Sequence, residues 1–178
     1  MRIISGKYKG KRIQPPANFR ARPTTDFAKE ALFNIIENNF DIPDLSVLDL
    51  FSGTGSMTYE FASRGAMRIA SVESNAIHYR FIRKMVQELD FAQVNTVRTD
   101  AFKVIKSPWE PYDIVFADPP YDLEKLEEIP GLVLKNKLLT DEGWLILEHP
   151  SKIKFNHIAS MFDHRVYGSV NFSFFRVP

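Results

Sequence analysis

The tetrapeptide Asp118-Pro119-Pro120-Tyr121 directly follows a short apolar run, Tyr112-Asp-Ile-Val-Phe-Ala117. Two successive prolines fix the backbone and remove two amide donors, so the loop offers the Asp118 carboxylate and nearby carbonyls as acceptors only. That arrangement suits a conjugated amine. The lone pair of an exocyclic amine on a base is delocalised into the ring. Acceptors that take its two N–H groups favour the pyramidal form and aim the lone pair at an electrophile such as a methyl donor. Tyr121 adds a face on which a base can stack, and a base must leave its helical stack to reach such a pocket.

A second group of residues could hold the donor. Val47-Leu-Asp-Leu-Phe-Ser-Gly-Thr-Gly55 ends a strand-like run and precedes a helical one. Gly53 and Gly55 permit a tight turn against which a ligand can lie, and the following helix contributes amide dipoles. Asp49 is an acid aimed at the same space. Position 58 is Thr rather than the third glycine of the dinucleotide fingerprint, which argues against a dehydrogenase, and the chain has no Gly-Lys-Ser/Thr P-loop. Glu73 closes the next strand, Ile69-Ala-Ser-Val-Glu73, where a carboxylate can accept both hydroxyls of a ribose. Asp100 stands just past a third strand. Three acids ending three successive strands form a line that could hold an adenosine and an amino group.

These residues need a scaffold that puts strand ends side by side. Short apolar runs at 46–51, 67–72, 94–98, 112–117 and 143–148 predict strands. Helical periodicity falls at 26–39, 56–64, 75–89, 101–106 and 122–137, with Pro130 opening a new helix inside the last segment. Thr25 or Asp26 is the N-cap of the first helix. Strand and helix in alternation predict parallel βαβ units and a doubly wound sheet. The tail breaks that rhythm, since 164–170 and 171–177 read as consecutive strands with Gly168-Ser169 as a turn signal. The expected fold is α/β, one doubly wound, mostly parallel seven-stranded sheet with an antiparallel C-terminal hairpin and a small basic N-terminal extension. Residues 1–25 form the hairpin-like arm and 26–178 the main domain.

The 178 residues are 44% hydrophobic, enough for one sizeable core. The absence of cysteine excludes disulfides, a thiolate zinc site and a cysteine nucleophile. No signal-peptide or membrane-spanning run is present, so a cytoplasmic protein is expected. A net charge of +1 hides an asymmetry: residues 1–25 hold seven basic groups and no acid, leaving a body of net −6. A basic arm on an acidic body points to a polyanionic partner, with Arg2, Lys7, Lys9, Lys11 and Arg12 as candidate contacts. The four histidines show no ligand spacing and read as structural or exposed. No metal is expected. Phe172, Phe174 and Phe175 read as core at the sheet edge.

Taken together, these segments resemble the class I methyltransferases, and in detail the RsmD-type 16S rRNA guanine-N2 methyltransferase family. The similarity rests on Arg2-Ile-Ile-Ser-Gly-Lys-Tyr-Lys-Gly10, Arg22-Pro-Thr-Thr-Asp26 with Glu30-Ala-Leu-Phe-Asn34, and Val47 to Gly55. It continues through Ser63-Arg-Gly-Ala66, Val72-Glu73 and Asp118 to Tyr121, in family order over about two thirds of the chain. The two N-terminal motifs separate this family from other amine methyltransferases. The resemblance implies S-adenosylmethionine as cofactor, ribosomal RNA as partner, within or outside an assembling small subunit, and a monomer. It also implies that Asp49, Gly53 and Gly55 line the methionine side, with Phe51 beside them. Glu73 and Ser74 would take the ribose and Asp100 and Ala101 the adenine. Arg22, Thr24 and Thr25 would cover the cofactor, while Asp118 and Tyr121 hold the base. Met57-Thr58 departs from the small residues common after the glycine turn, and the stretch after Gly143 matches loosely. The chemistry of Asp118 to Tyr121 also serves adenine-N6 or cytosine-N4 transfer on DNA or another RNA. A non-catalytic nucleic-acid-binding module would use the arm but leave that tetrapeptide without a purpose.

Overall fold

A computed structural model describes residues 1–16, 19 and 25–177. Its centre is a seven-stranded sheet of β1 (Ser46–Asp49), β2 (Arg68–Val72), β3 (Val94–Val97), β4 (Tyr112–Ala117), β5 (Leu139–His149), β6 (Met161–Tyr167) and β7 (Val170–Arg176). The strand order is β3-β2-β1-β4-β5-β7-β6. The first five strands run parallel, while β7 is antiparallel to both β5 and β6. Order reverses between β1 and β4, so their carboxyl ends diverge around a crevice at the switch point, where ligands bind in open α/β sheets. Asp49 ends β1 and Asp118 follows β4, which puts both sequence motifs on this crevice.

Helices α1 (Asp26–Glu37), α2 (Ser56–Ser63), α3 (Ala76–Glu88), α4 (Ala101–Ile105) and α5 (Ile129–Lys135) cover the sheet. Helices α1, α3 and α4 start from a side-chain cap. Thr25 Oγ1 accepts from Ala28 N, Asn75 Oδ1 accepts from Ile77 N and His78 N, and Asp100 Oδ1 accepts from Lys103 N. Strand β1 is buried on both faces, as a central parallel strand must be. Phe172, Phe174 and Phe175 are fully buried, so the C-terminal hairpin belongs to the core.

Three boundaries differ from the sequence expectation. The helix anticipated over 122–137 begins only with a 3₁₀ turn at Leu126–Glu128, after which α5 starts with Pro130 in its first turn. Residues just after Tyr121 instead form a turn closed by Leu123 N donating to Pro120 O. Strand β5 begins at Leu139 rather than 143, with an irregularity opposite Tyr112 to Ile114. Gly143 accommodates it, because a Cβ there would lie 2.8 Å from Tyr112 O. In the last hairpin, Gly168 (φ +63°) and Ser169 form the turn itself, so the flanking strands stop at Tyr167 and resume at Val170.

The N-terminal segment folds into a small hairpin with an antiparallel Arg2–Arg12 bridge, and Ile3 and Ile13 enter the main core. Its anchor is the fully buried Glu60 on α2. Glu60 accepts from Ile4 N (2.8 Å) and Ser5 N (3.0 Å), and it pairs with Arg64 (2.8 Å) and the buried Lys29 (3.5 Å). Lys29 in turn donates to Arg2 O at 2.7 Å. Gly6, at φ +79°, lets the hairpin touch the end of α2, since a Cβ would sit 1.9 Å from Ser63 O. Gly6→Ala adds left-handed strain to that overlap, and about 2–4 kcal/mol of stability should be lost. A urea transition measures this; an unchanged midpoint would contradict the close approach.

Candidate active site

The carboxyl ends of β1, β2, β4 and β5 surround a cavity of about 560 Å³ lined by residues of all four. On one side it is bounded by Asp49, Phe51, Ser52, Gly53, Thr54, Ser56 and Met57, and by Glu73, Ser74, Asn75 and His78 after β2. Phe116, Asp118, Pro119, Pro120, Tyr121 and Glu148 form the opposite wall. The glycine turn and the Asp-Pro-Pro-Tyr loop, 65 positions apart at Gly53 and Asp118, are thus two walls of one site.

The turn is built by polar side chains that hold one another. The Thr58 hydroxyl donates to Asp49 Oδ2 at 2.7 Å and lies 2.9 Å from Ser71 Oγ, which is 2.8 Å from Ser52 Oγ. The threonine that replaces a third glycine therefore positions Asp49. Glu73 braces the turn from the next strand: Oε2 accepts from Gly53 N (2.8 Å) and Oε1 from Asn75 N (2.7 Å). Each oxygen keeps further acceptor capacity for a ligand hydroxyl. Gly53, at φ +54°, has nothing nearer than Phe51 O at 3.9 Å from a virtual Cβ, so it presents bare backbone to the cavity. Gly55 does a different job. A Cβ there would lie 2.4 Å from the Tyr59 ring, and Gly55 is not among the lining residues.

The other sequence candidates divide. Phe51 and Ser74 line the cavity. Thr25 caps α1, Asp100 caps α4, and Ala101 is packed in the core. Asp100 instead borders a second hollow with Phe102, Lys103 and Asp122, and Pro120 lines both spaces. Arg22 and Thr24 lie outside the described residues. Lys7, Lys9, Lys11 and Arg12 are exposed on the hairpin, and Arg2 pairs with Asp26 at 3.3 Å.

Two ionisable lining residues escaped the sequence reading. Glu148 near the end of β5 is buried, and Tyr121 donates to its Oε1 at 3.2 Å. His78, read as structural or exposed, reaches the cavity from the first turn of α3, with Nδ1 4.0 Å from Glu73 Oε2 and its ring stacked on Phe19. A first-turn position after a strand-end acid was the available signal for His78. Glu148 carried a comparable one, as an acid near the end of the fifth candidate strand. Among the described residues no group of three His, Cys, Asp or Glu side chains could hold a metal ion.

Among the described residues, carboxylates dominate the charge of the cavity. Burial raises Asp49 to about 6 against the hydrogen bonds from Thr58 and Ser52, with Glu73 adding to the rise. Burial, Glu148 and Asp49, in that order, hold Asp118 well above the usual carboxylate range. Such a site favours ligands that bring hydrogen-bond donors or positive charge.

Strand order and crevice define a class I methyltransferase fold. The chain belongs to the family described as conserved hypothetical protein 95, the RsmD family, which matches residues 1–176. It is 33% identical over 153 residues to Ribosomal RNA small subunit methyltransferase D of Buchnera aphidicola subsp. Baizongia pistaciae, covering 86% of this chain and 78% of that one. The protein of the same name from Escherichia coli K12 is 32% identical over 148 residues, 83% and 74% of the two chains. The solved structure of Escherichia coli yhhF superposes with a TM-score of 0.86 at 28% identity, covering 100% and 99%.

S-adenosylmethionine is the cofactor of this class, and the cavity fits it. The bare backbone at Gly53 and the acids Asp49 and Glu73 share one wall, where an ammonium and ribose hydroxyls would find acceptors. The raised Asp49 has a measurable consequence. Because its folded value exceeds the unfolded one, the folded state binds the extra proton, and stability falls as pH rises from about 4 to about 6. Above that window the cost is about 3 kcal/mol. Asp49→Asn should therefore raise the melting temperature at pH 7.5 and leave it nearly unchanged at pH 4. An equal shift at both values would rule out the charge as its cause.

Proposed function

We propose that this protein transfers a methyl group from S-adenosylmethionine to the exocyclic N2 amine of a guanine in small-subunit ribosomal RNA. The observation that carries this reading is the placement of Asp118 to Tyr121 across one cavity from Gly53 and Glu73. An amine and a methyl donor bound on the two walls would meet between them. The names of the relatives supply the nucleic acid, since both are called small-subunit ribosomal RNA methyltransferases.

Asp118 and the proline-fixed carbonyls accept the amine's N–H groups, turning its lone pair toward the donor's methyl carbon. When bound, the cofactor supplies an electrophilic methyl on a sulfonium. Transfer to the nitrogen would break the sulfur–methyl bond, and the surplus proton would leave the nitrogen toward an acceptor at the loop. Burial and the neighbouring carboxylates make ionised Asp118 costly, and the amine's donors relieve that cost.

Labelled cofactor with small-subunit RNA or subunits, followed by nuclease digestion and mass analysis, should yield N2-methylguanosine; a methylated adenosine or cytidine refutes the guanine assignment. Asp118→Ala should keep cofactor affinity while slowing transfer by on the order of a hundredfold. Wild-type turnover in that variant would reduce the tetrapeptide to a rigid turn.

The hairpin is the proposed RNA clamp. Its exposed Lys7, Lys9, Lys11 and Arg12 are carried on a segment whose Ile3 and Ile13 are buried, so the charges are held at a set place on the surface. Each phosphate neutralised releases counterions, which makes binding steeply salt-dependent. Reversing Lys7, Lys9 and Lys11 to Glu should weaken RNA binding and flatten the salt slope while cofactor affinity survives. An unaltered slope with wild-type methylation would place the RNA grip elsewhere.

A further inference from the structure

Asp118 does not face the cavity alone. Glu148 comes from the neighbouring strand β5, is 4% exposed, lines the same wall, and is held by the Tyr121 hydroxyl at 3.2 Å. The tyrosine of the Asp-Pro-Pro-Tyr loop thus ties the second carboxylate to the first. One acceptor beside the amine is what the transfer reaction requires. A second buried carboxylate raises the cost of ionising Asp118. Its carboxylate also adds a second hydrogen-bond acceptor at the reacting wall.

The donor pattern of the bases identifies the edge that two such acceptors fit. Adenine carries its amine beside an unprotonated ring nitrogen, and so does cytosine. Either would turn a lone pair toward a second carboxylate, leaving two acceptors face to face. Guanine alone places a ring N–H next to its exocyclic amine, so its N1 and N2 form a continuous donor edge. Two acidic acceptors complement that edge, and an edge with an acceptor in place of the N1 hydrogen is rejected because both partners lose their hydrogen bonds.

We infer that Glu148 is the base-selecting residue, accepting the N1–H of the target guanine while Asp118 and the proline loop accept from N2. The inference rests on the guanine-N2 reading above and deepens it. Tyr121 is the positioning residue in this scheme, since its hydroxyl holds one Glu148 oxygen.

2-Aminopurine isolates the interaction, because it carries the same 2-amino group with no hydrogen on N1. Digestion of wild-type product comes first and locates the methylated nucleotide. A methylated adenosine or cytidine there overturns the guanine reading and this inference together, before any variant is made. With N2-methylguanosine established, RNA ligated to carry guanine or 2-aminopurine at that position is compared by kcat/KM. Wild type should prefer guanine by roughly tenfold to a hundredfold, the discrimination typical of one well-made base contact. Glu148→Gln, whose amide can donate to an unprotonated N1, should bring the ratio close to one or invert it. Its cofactor affinity by calorimetry should stay within a few-fold of wild type. Equal wild-type rates on the two RNAs, or an unchanged preference in Glu148→Gln, overturns the role of Glu148 while leaving the guanine-N2 reading standing. Should the variant fail to bind cofactor, the wild-type ratio alone decides.

Discussion

Convergent negative charge is the constraint around which this molecule is organised. Asp49, Asp118 and Glu148 reach one cavity from β1, from the end of β4 and from β5, and burial together with neighbouring carboxylates makes the ionised forms of Asp49 and Asp118 expensive. A fold chosen for stability alone would place apolar groups there. In the proposed reaction a partner rich in donors offsets that cost: an ammonium and hydroxyls against Asp49 and Glu73, and an amine against Asp118. Folding energy is held back at the switch point of the sheet and released on binding.

The polar scaffold behind the cavity keeps those charges in place. Thr58, Ser71 and Ser52 hold Asp49 from the inside of the turn, while Glu73 grips Gly53 N and Asn75 N from the adjacent strand. Sheet pairing fixes the distance between these two acids, since Asp49 and Ser71 are direct register partners. A substitution that disturbed this network would alter the cavity without touching a ligand.

A second buried network joins the basic hairpin to the same region. Glu60 satisfies two hairpin amides and pairs with Lys29, whose ammonium also lies 3.3 Å from Ser56 Oγ, a cavity-lining residue. Burial lowers the Lys29 value, and Glu60 pulls it back. Removing Glu60 would leave the buried Lys29 ammonium without its counterpart, at a cost of several kcal/mol. The surface proposed to hold RNA and the turn proposed to hold the cofactor therefore share a rigid connection through α1 and α2.

Local chemistry made much of this legible from residues alone. Alternating apolar runs and helical periods specify a doubly wound sheet because parallel strands must be buried and their crossovers must be helices. Asp118 to Tyr121 and Gly53 are readable because backbone rigidity and positive φ depend on the residue itself and its immediate neighbours. The sequence alone also determines the charge asymmetry of the first 25 residues. Tertiary structure decided the rest. Only strand register brings Glu148 beside the Asp-Pro-Pro-Tyr loop. Only the packing of Tyr59 separates the role of Gly55 from that of Gly53, and only docking on Glu60 turns a basic segment into an anchored hairpin. Distances between residues far apart in the chain are set by sheet order and side-chain packing, and no local spacing encodes them.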